Sequence, residues 1–101
     1  MNTTSLNNAE KIPGLNARKM FTSDITELIH LVLGPGENLP QHTNPFDVIF
    51  YVLNGRGLLT IEGESAELGV HDTVNVKAGL QRSWINRGDE KLRLLVIKYF
   101  K

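Results

Sequence analysis

The sequence predicts an all-β fold, and three observations carry that expectation. Turn signals recur along its 101 residues: Gly34-Pro35-Gly36, Asn54-Gly55, Glu62-Gly63, Val70-His71-Asp72, Ala78-Gly79 and Arg87-Gly88-Asp89. Between them lie short segments rich in Val, Ile, Leu, Phe and Tyr. No stretch reads as a helix, and no repeat of solenoid length is present. Regular short strands punctuated by glycine turns argue for a sandwich or a closed barrel.

The chain begins with a polar stretch up to about Pro13, which reads as a flexible tail (residues 1–13). It has neither a positive region nor an apolar core, so it does not read as a secretory signal. Residues 14–101 read as a single domain. Strands are expected over 17–22 and 25–33. In the second of these both parities are apolar, so the face taken by His30 stays open. Strand 46–54 contains Val48-Ile49-Phe50-Tyr51-Val52-Leu53, apolar at every position. A strand with one wet face would alternate. Both of its faces are therefore expected to be covered, one by the barrel interior and one by a second sheet or subunit. Asn54-Gly55-Arg56-Gly57 carries the hairpin signature, because Asn and Gly accept the positive φ of tight turns. It leads to strand 57–61, and Glu62-Gly63 is a second, less typical case before 65–68. Strands 73–76, 82–86 and 92–100 complete the chain. Leu92, Leu94, Leu95, Val96 and Ile97 repeat the two-faced apolar pattern.

The length suits one domain with a single core. Eleven basic and 11 acidic side chains give a formal net charge of +0. Neither a nucleic-acid surface nor a polybasic membrane patch is indicated. No apolar run is long enough to span a bilayer. There are no cysteines, so disulfides and thiolate metal sites are excluded. That composition fits a cytoplasmic protein, the expected location. No nucleophile elbow, phosphate loop or His-Glu-x-x-His helix occurs.

Residues 36–55 hold Gly36, then His42 after five intervening residues, then Asn44, Asp47, Val48 and a closing Gly55. Residues 71–86 hold His71-Asp72, Lys77-Ala78-Gly79, Arg82 and Asn86. The two stretches resemble the paired motifs of the cupin family, over roughly residues 30–98. The first family motif runs Gly, five residues, His-x-His, three or four residues, Glu, six residues, Gly. The second runs Gly-Asp, Pro-x-Gly, two residues, His, three residues, Asn. The resemblance implies a double-stranded β-helix, the jelly-roll barrel of the small conserved-barrel type, and a homodimer. It also implies a metal site. Of its four ligand positions, three carry Asn44, Val48 and Arg82, and His42 alone remains.

The replacements can be weighed chemically. Val48 cannot ligate. Asn44 offers an amide oxygen, which suits hard cations better than transition metals. Arg82 is protonated and has no lone pair to give. It also repels a cation, by about 4 kcal/mol per unit charge at 4 Å and an effective ε of 20. Asp47 is no free substitute for the Glu, since one residue of register sends a side chain to the other face. The same parity sends Phe50 and Trp84 inward with Val48 and Arg82. The candidate pocket is therefore His42, Asn44, Val48, Phe50, Arg82 and Trp84, a fixed cation within aromatic walls. Such a site favours a carboxylate or phosphate on an apolar or planar body.

Three functions compete. The first is metal-free binding of a small, anionic organic ligand, with no cofactor. The second is a metal-dependent enzyme of the isomerase or dioxygenase type, holding a divalent transition metal through His42 and a rearranged shell. The third is a structural dimerisation module with a filled interior. The residues also allow structural roles. Arg82 can pair with Asp47 or Glu64, and His42 can bond a backbone carbonyl. His30 and His42 can form an alternative metal site. Trp84 and Phe50 can fill the core, His71 can face solvent in its turn, and Asn86 can brace a turn.

Overall fold

The computed structural model describes residues 1–100; residue 101, the last of the expected domain, lies outside the described residues. Among the described residues there are ten strands and no helix. One sheet has six strands, in the order β1 (Glu10–Lys11), β2 (Ala17–Thr22), β3 (Thr26–Leu33), β10 (Leu92–Tyr99), β5 (Asp47–Asn54) and β8 (Thr73–Val76). The other has four, in the order β4 (Asn38–His42), β9 (Arg82–Ile85), β6 (Gly57–Ile61) and β7 (Glu64–Leu68). All pairs are antiparallel. The architecture is the all-β jelly-roll barrel that the sequence predicts.

Strand β10 is the spine of the larger sheet. It pairs with β3 along its whole length, from Leu92↔Leu33 to Tyr99↔Thr26, and with β5 on its other side. The period of two decides which side chains enter the core. Along β5 and β10 buried residues alternate with half-buried ones. Ile29, Leu31, Val48, Phe50, Val52, Leu92, Leu94, Val96 and Trp84 meet between the sheets. Each such burial stabilises the fold by about 1.5–3 kcal/mol. Ile49, Tyr51, Leu95 and Ile97 take the outer face and stay half-buried. The second sheet covers only the inner face of β5.

Two turns exchange roles relative to the sequence reading. Asn54-Gly55-Arg56-Gly57 is not a hairpin, because β5 and β6 lie in different sheets. It is a corner that carries the chain across the barrel. Gly55 supplies a φ of 79° there. A Cβ on Gly57 would sit 2.5 Å from Leu92 Cδ2 and 2.9 Å from the Trp84 ring. The corner thus needs glycine for space as well as for φ. The tight hairpin is Glu62-Gly63, between β6 and β7, with Ile61 opposite Glu64. Both turn residues have positive φ, 49° and 82°, as a type I′ turn demands.

Strand β4 was not expected, since Pro40 interrupts it and most of it is exposed. Proline is tolerated because β4 is an edge strand. The segment expected as a tail includes β1, which pairs Glu10 with Lys19 and Lys11 with Arg18. Arg18 Nη1 also donates to the Ala9 carbonyl at 2.9 Å, and Ala9 is buried. No helix among the described residues is long and apolar enough to cross a membrane.

Candidate functional site

A cavity of about 160 Å³ opens between the two sheets. From the larger sheet come Ala17, Ile29, Leu31, Phe50, Val96 and Lys98. The smaller sheet and its loops give Leu39, His42, Asn44 and Arg82. Ile12 and Leu15, in the turn after β1, complete the lining.

Arg82 is placed by strand alternation. In β9, Arg82 and Trp84 are buried while Ser83 and Ile85 are half-buried. Arg82 is only 4% exposed. It stands opposite His42 in the β4–β9 register, and its Nη1 donates to the His42 carbonyl at a long 3.4 Å. With the Asn44 amide oriented to suit its neighbours, Asn44 Oδ1 accepts from Arg82 Nη2 at 2.7 Å and Nη1 at 3.2 Å. The Asn44 Nδ2 then donates to the Thr43 carbonyl at 3.2 Å. Arg82 Nε is buried with no partner. The guanidinium carbon lies 5.8 Å from the Phe50 ring centroid, a cation–π distance. Burial lowers the Arg82 pKa from its ordinary value, because desolvation opposes the charged form.

Arg82 takes part in no ion pair among the described residues. The expected partner Asp47 is engaged elsewhere. Its carboxylate lies 3.7 Å from Lys77 Nζ and accepts from the Ala78 amide at 2.9 Å. Glu64 is exposed and makes no ion pair with Arg82.

Of the six expected pocket residues, the structure brings four together: His42, Asn44, Phe50 and Arg82. Val48 and Trp84 do not line the cavity. Both are 1% exposed and belong to the close-packed core. Trp84 meets Phe50 edge-on, with centroids 5.4 Å apart, and its Nε1 finds no partner. Val48 and Trp84 both point inward, as parity predicts, but into the close-packed core and not into the cavity. His42 sits at the exposed rim on edge strand β4. Its pKa is lowered, first by partial burial and then by the charge of Arg82.

His30 is not part of this site. Ile29 and Leu31 line the cavity, so alternation sends His30 to the outer face. Burial and Arg93 lower its pKa. The His30–His42 metal site is therefore not formed. Asn86 is fully buried and braces the turn after β9. Its Nδ2 donates to the carbonyls of Leu33 and Glu90, and its Oδ1 accepts from Gly88 N. His71, at φ 73°, is exposed and its Nδ1 hydrogen-bonds the Tyr51 hydroxyl at 2.9 Å.

The family's metal positions fail a chemical fit. Val48 is an aliphatic core residue, and the amide oxygen of Asn44 is taken by a guanidinium. One rim imidazole remains. Among the described residues no group of three or more His, Cys, Asp or Glu could hold a metal ion.

Sequence reasoning missed Lys98 and the apolar lining from β3 and the N-terminal turn. Lys98 was findable. It shares the parity of Leu92, Leu94 and Val96, so a period of two points it inward. Glu27 shares the parity of Ile29 in the same way and is 8% exposed.

Comparison with known proteins agrees with this fold. The structure is similar to the cupin domain of Schizosaccharomyces pombe Cnp3, with a TM-score of 0.86, 18% identity, and coverage of 96% of this chain and 72% of that one. It is similar to a predicted oxalate decarboxylase of Thermotoga maritima, with a TM-score of 0.84, 18% identity and coverage of 98% of both chains. In sequence it is 30% identical over 67 residues to the tetracenomycin polyketide synthase protein TcmJ of Streptomyces glaucescens. That match covers 65% of this chain and 45% of the length of the curated relative. The sequence model of the family described as Cupin domain matches residues 29–98, and the chain belongs to that family.

Proposed function

We propose that the protein binds a small organic anion in the barrel cavity, without a metal, through the guanidinium of Arg82. One observation carries this reading: a cation that is 4% exposed lies beside a cavity and has no carboxylate partner among the described residues. A buried charge without a counterion costs several kcal/mol. An incoming carboxylate would supply the missing charge and accept from the guanidinium fork.

The remaining walls describe the rest of the ligand. Leu31, Leu39, Ile29 and Phe50 offer apolar contacts, so the body of the ligand is apolar or planar. The cavity of about 160 Å³ compares with the roughly 150 Å³ that admits benzene elsewhere. It suits one ring. Partial burial and then Arg82 lower the His42 pKa at the rim, and an anion bound beside it would favour the imidazolium form.

The test is an NMR titration of the full chain with benzoate, in EDTA, with cyclohexylamine as the cationic control. Benzoate should shift amides around Arg82, Asn44 and Phe50, and cyclohexylamine should not. Arg82→Met should weaken benzoate at least tenfold. Unchanged binding in that variant would end this reading.

A further inference from the structure

The anion site has a second cation, and it comes from the opposite sheet. Lys98 lines the same cavity from β10, facing Arg82 from β9. Its Nζ lies 3.3 Å from Glu27 Oε1. Glu27 Oε2 lies 3.7 Å from a second ammonium, Lys19 Nζ. One buried carboxylate therefore serves two lysines. The trio carries a net charge of about +1, and Arg82 adds another with nothing to offset it. Two cations, Arg82 and Lys98, line the cavity, and among the described residues no carboxylate does; Glu27 meets Lys98 from outside that lining. A ligand with two acidic groups would meet one cation with each.

The two cations are also separate anchors. Arg82 Cζ sits 5.8 Å from the centroid of Phe50, and Lys98 Nζ sits 5.9 Å from that of Phe46. Phe50 lies in β5 and Phe46 in the bend just before it, so the two cations sit against different rings. One cation comes from each sheet, and two acidic groups on one body would engage both. Ile29 and Val96, in the same lining, keep the space around the ligand body apolar.

We infer that the ligand class is a small dianion: one ring or short apolar body carrying two acidic groups, one on Arg82 and one on Lys98. This rests on the anion-binding reading above and adds the second acidic group. Glu27 competes with the ligand for Lys98. It keeps that ammonium compensated in the free protein and leaves it to Lys19 to hold the carboxylate once the ligand arrives.

The experiment compares benzoate with isophthalate, its analogue with a second carboxylate, by calorimetry at fixed ionic strength. Isophthalate should bind the full chain at least tenfold tighter than benzoate. Lys98→Met should reduce that ratio to within twofold, and Lys98→Arg should keep it. Glu27→Gln, which removes the competing carboxylate, should increase it. Melting curves and amide spectra of each variant establish that it is folded; the Lys98→Arg and Glu27→Gln arms remain decisive if Lys98→Met is not. If benzoate binds through Arg82 but isophthalate binds no tighter, the second anchor is refuted and the single-anion reading stands. The second anchor is equally refuted if the ratio survives Lys98→Met or is lowered by Glu27→Gln. If neither compound binds, both readings fall.

Discussion

Arg82 shows how one strand position can decide the chemistry of a barrel. Alternation in β9 sends it inward, and the position where the family motif carries a His ligand holds a cation instead. The imidazoles respond to the same burial and charge. His30 and His42 both have pKa values below the usual 6.5. As pH falls, the unfolded chain takes up these protons before the folded one does. Their contribution is therefore fully favourable above about pH 6.5 and is lost as pH falls from there toward the folded values. We expect the urea midpoint to drop between pH 7.5 and 5.5. His30→Leu, which cannot titrate, should flatten part of that slope. A midpoint with the same pH slope in the variant would mean that His30 is not a source of it. A bound anion acts oppositely on His42, favouring the imidazolium, so anion affinity should rise over the same interval. At this scale the sequence made Arg82, His42, Asn44 and Phe50 legible, because period two and a motif position act together. It hid Lys98 and Glu27, whose charges drew no motif, and it overcounted Val48 and Trp84. Parity tells which way a side chain points but not whether another lies above it.

At the scale of elements, the strands were legible and the connections less so. Apolar runs between turn signals located all the long strands to within a residue or two. Strands β1 and β4 were missed, because β1 is two residues long and Pro40 interrupts the polar, mostly exposed β4. The Asn54-Gly55 corner was mistaken for a hairpin because a positive φ suits either turn, and only the tertiary contacts separate them. Those contacts yield a ranking. Gly57→Ala would force a methyl against Leu92 and Trp84 in the core. Overpacking of that kind costs about 1–3 kcal/mol. Gly63→Ala meets nothing within 4 Å, so only the left-handed backbone at φ 82° opposes it. That costs about 1 kcal/mol. Urea midpoints should fall in the order wild type, Gly63→Ala, Gly57→Ala. A Gly57→Ala variant as stable as wild type would mean that the corner relaxes freely, and that the tight approach of β6 to β10 is not what fixes the crossing.

For the whole molecule, the cavity lies where the two sheets face each other, so a ligand held by Arg82 and Lys98 would tie one sheet to the other. The free protein then carries a cost that the bound protein recovers. Replacing a buried ion pair with apolar side chains is often neutral or stabilising, and an unpaired buried charge has no Coulombic gain to lose. We therefore expect Arg82→Met to melt at or above the wild-type temperature when no ligand is present. An anion held a hundredfold above its Kd adds about 2.7 kcal/mol to the wild type. For a chain of this size that is roughly 10–20 °C. The variant should gain almost none of it, so the order of the two melting temperatures reverses when ligand is added. The reversal separates a binding role from a structural one. A guanidinium retained to hold Asn44 and edge strand β4 in place would make Arg82→Met less stable under both conditions. In that case the charge inside the barrel would be part of its architecture, and the anion site would lose its physical basis.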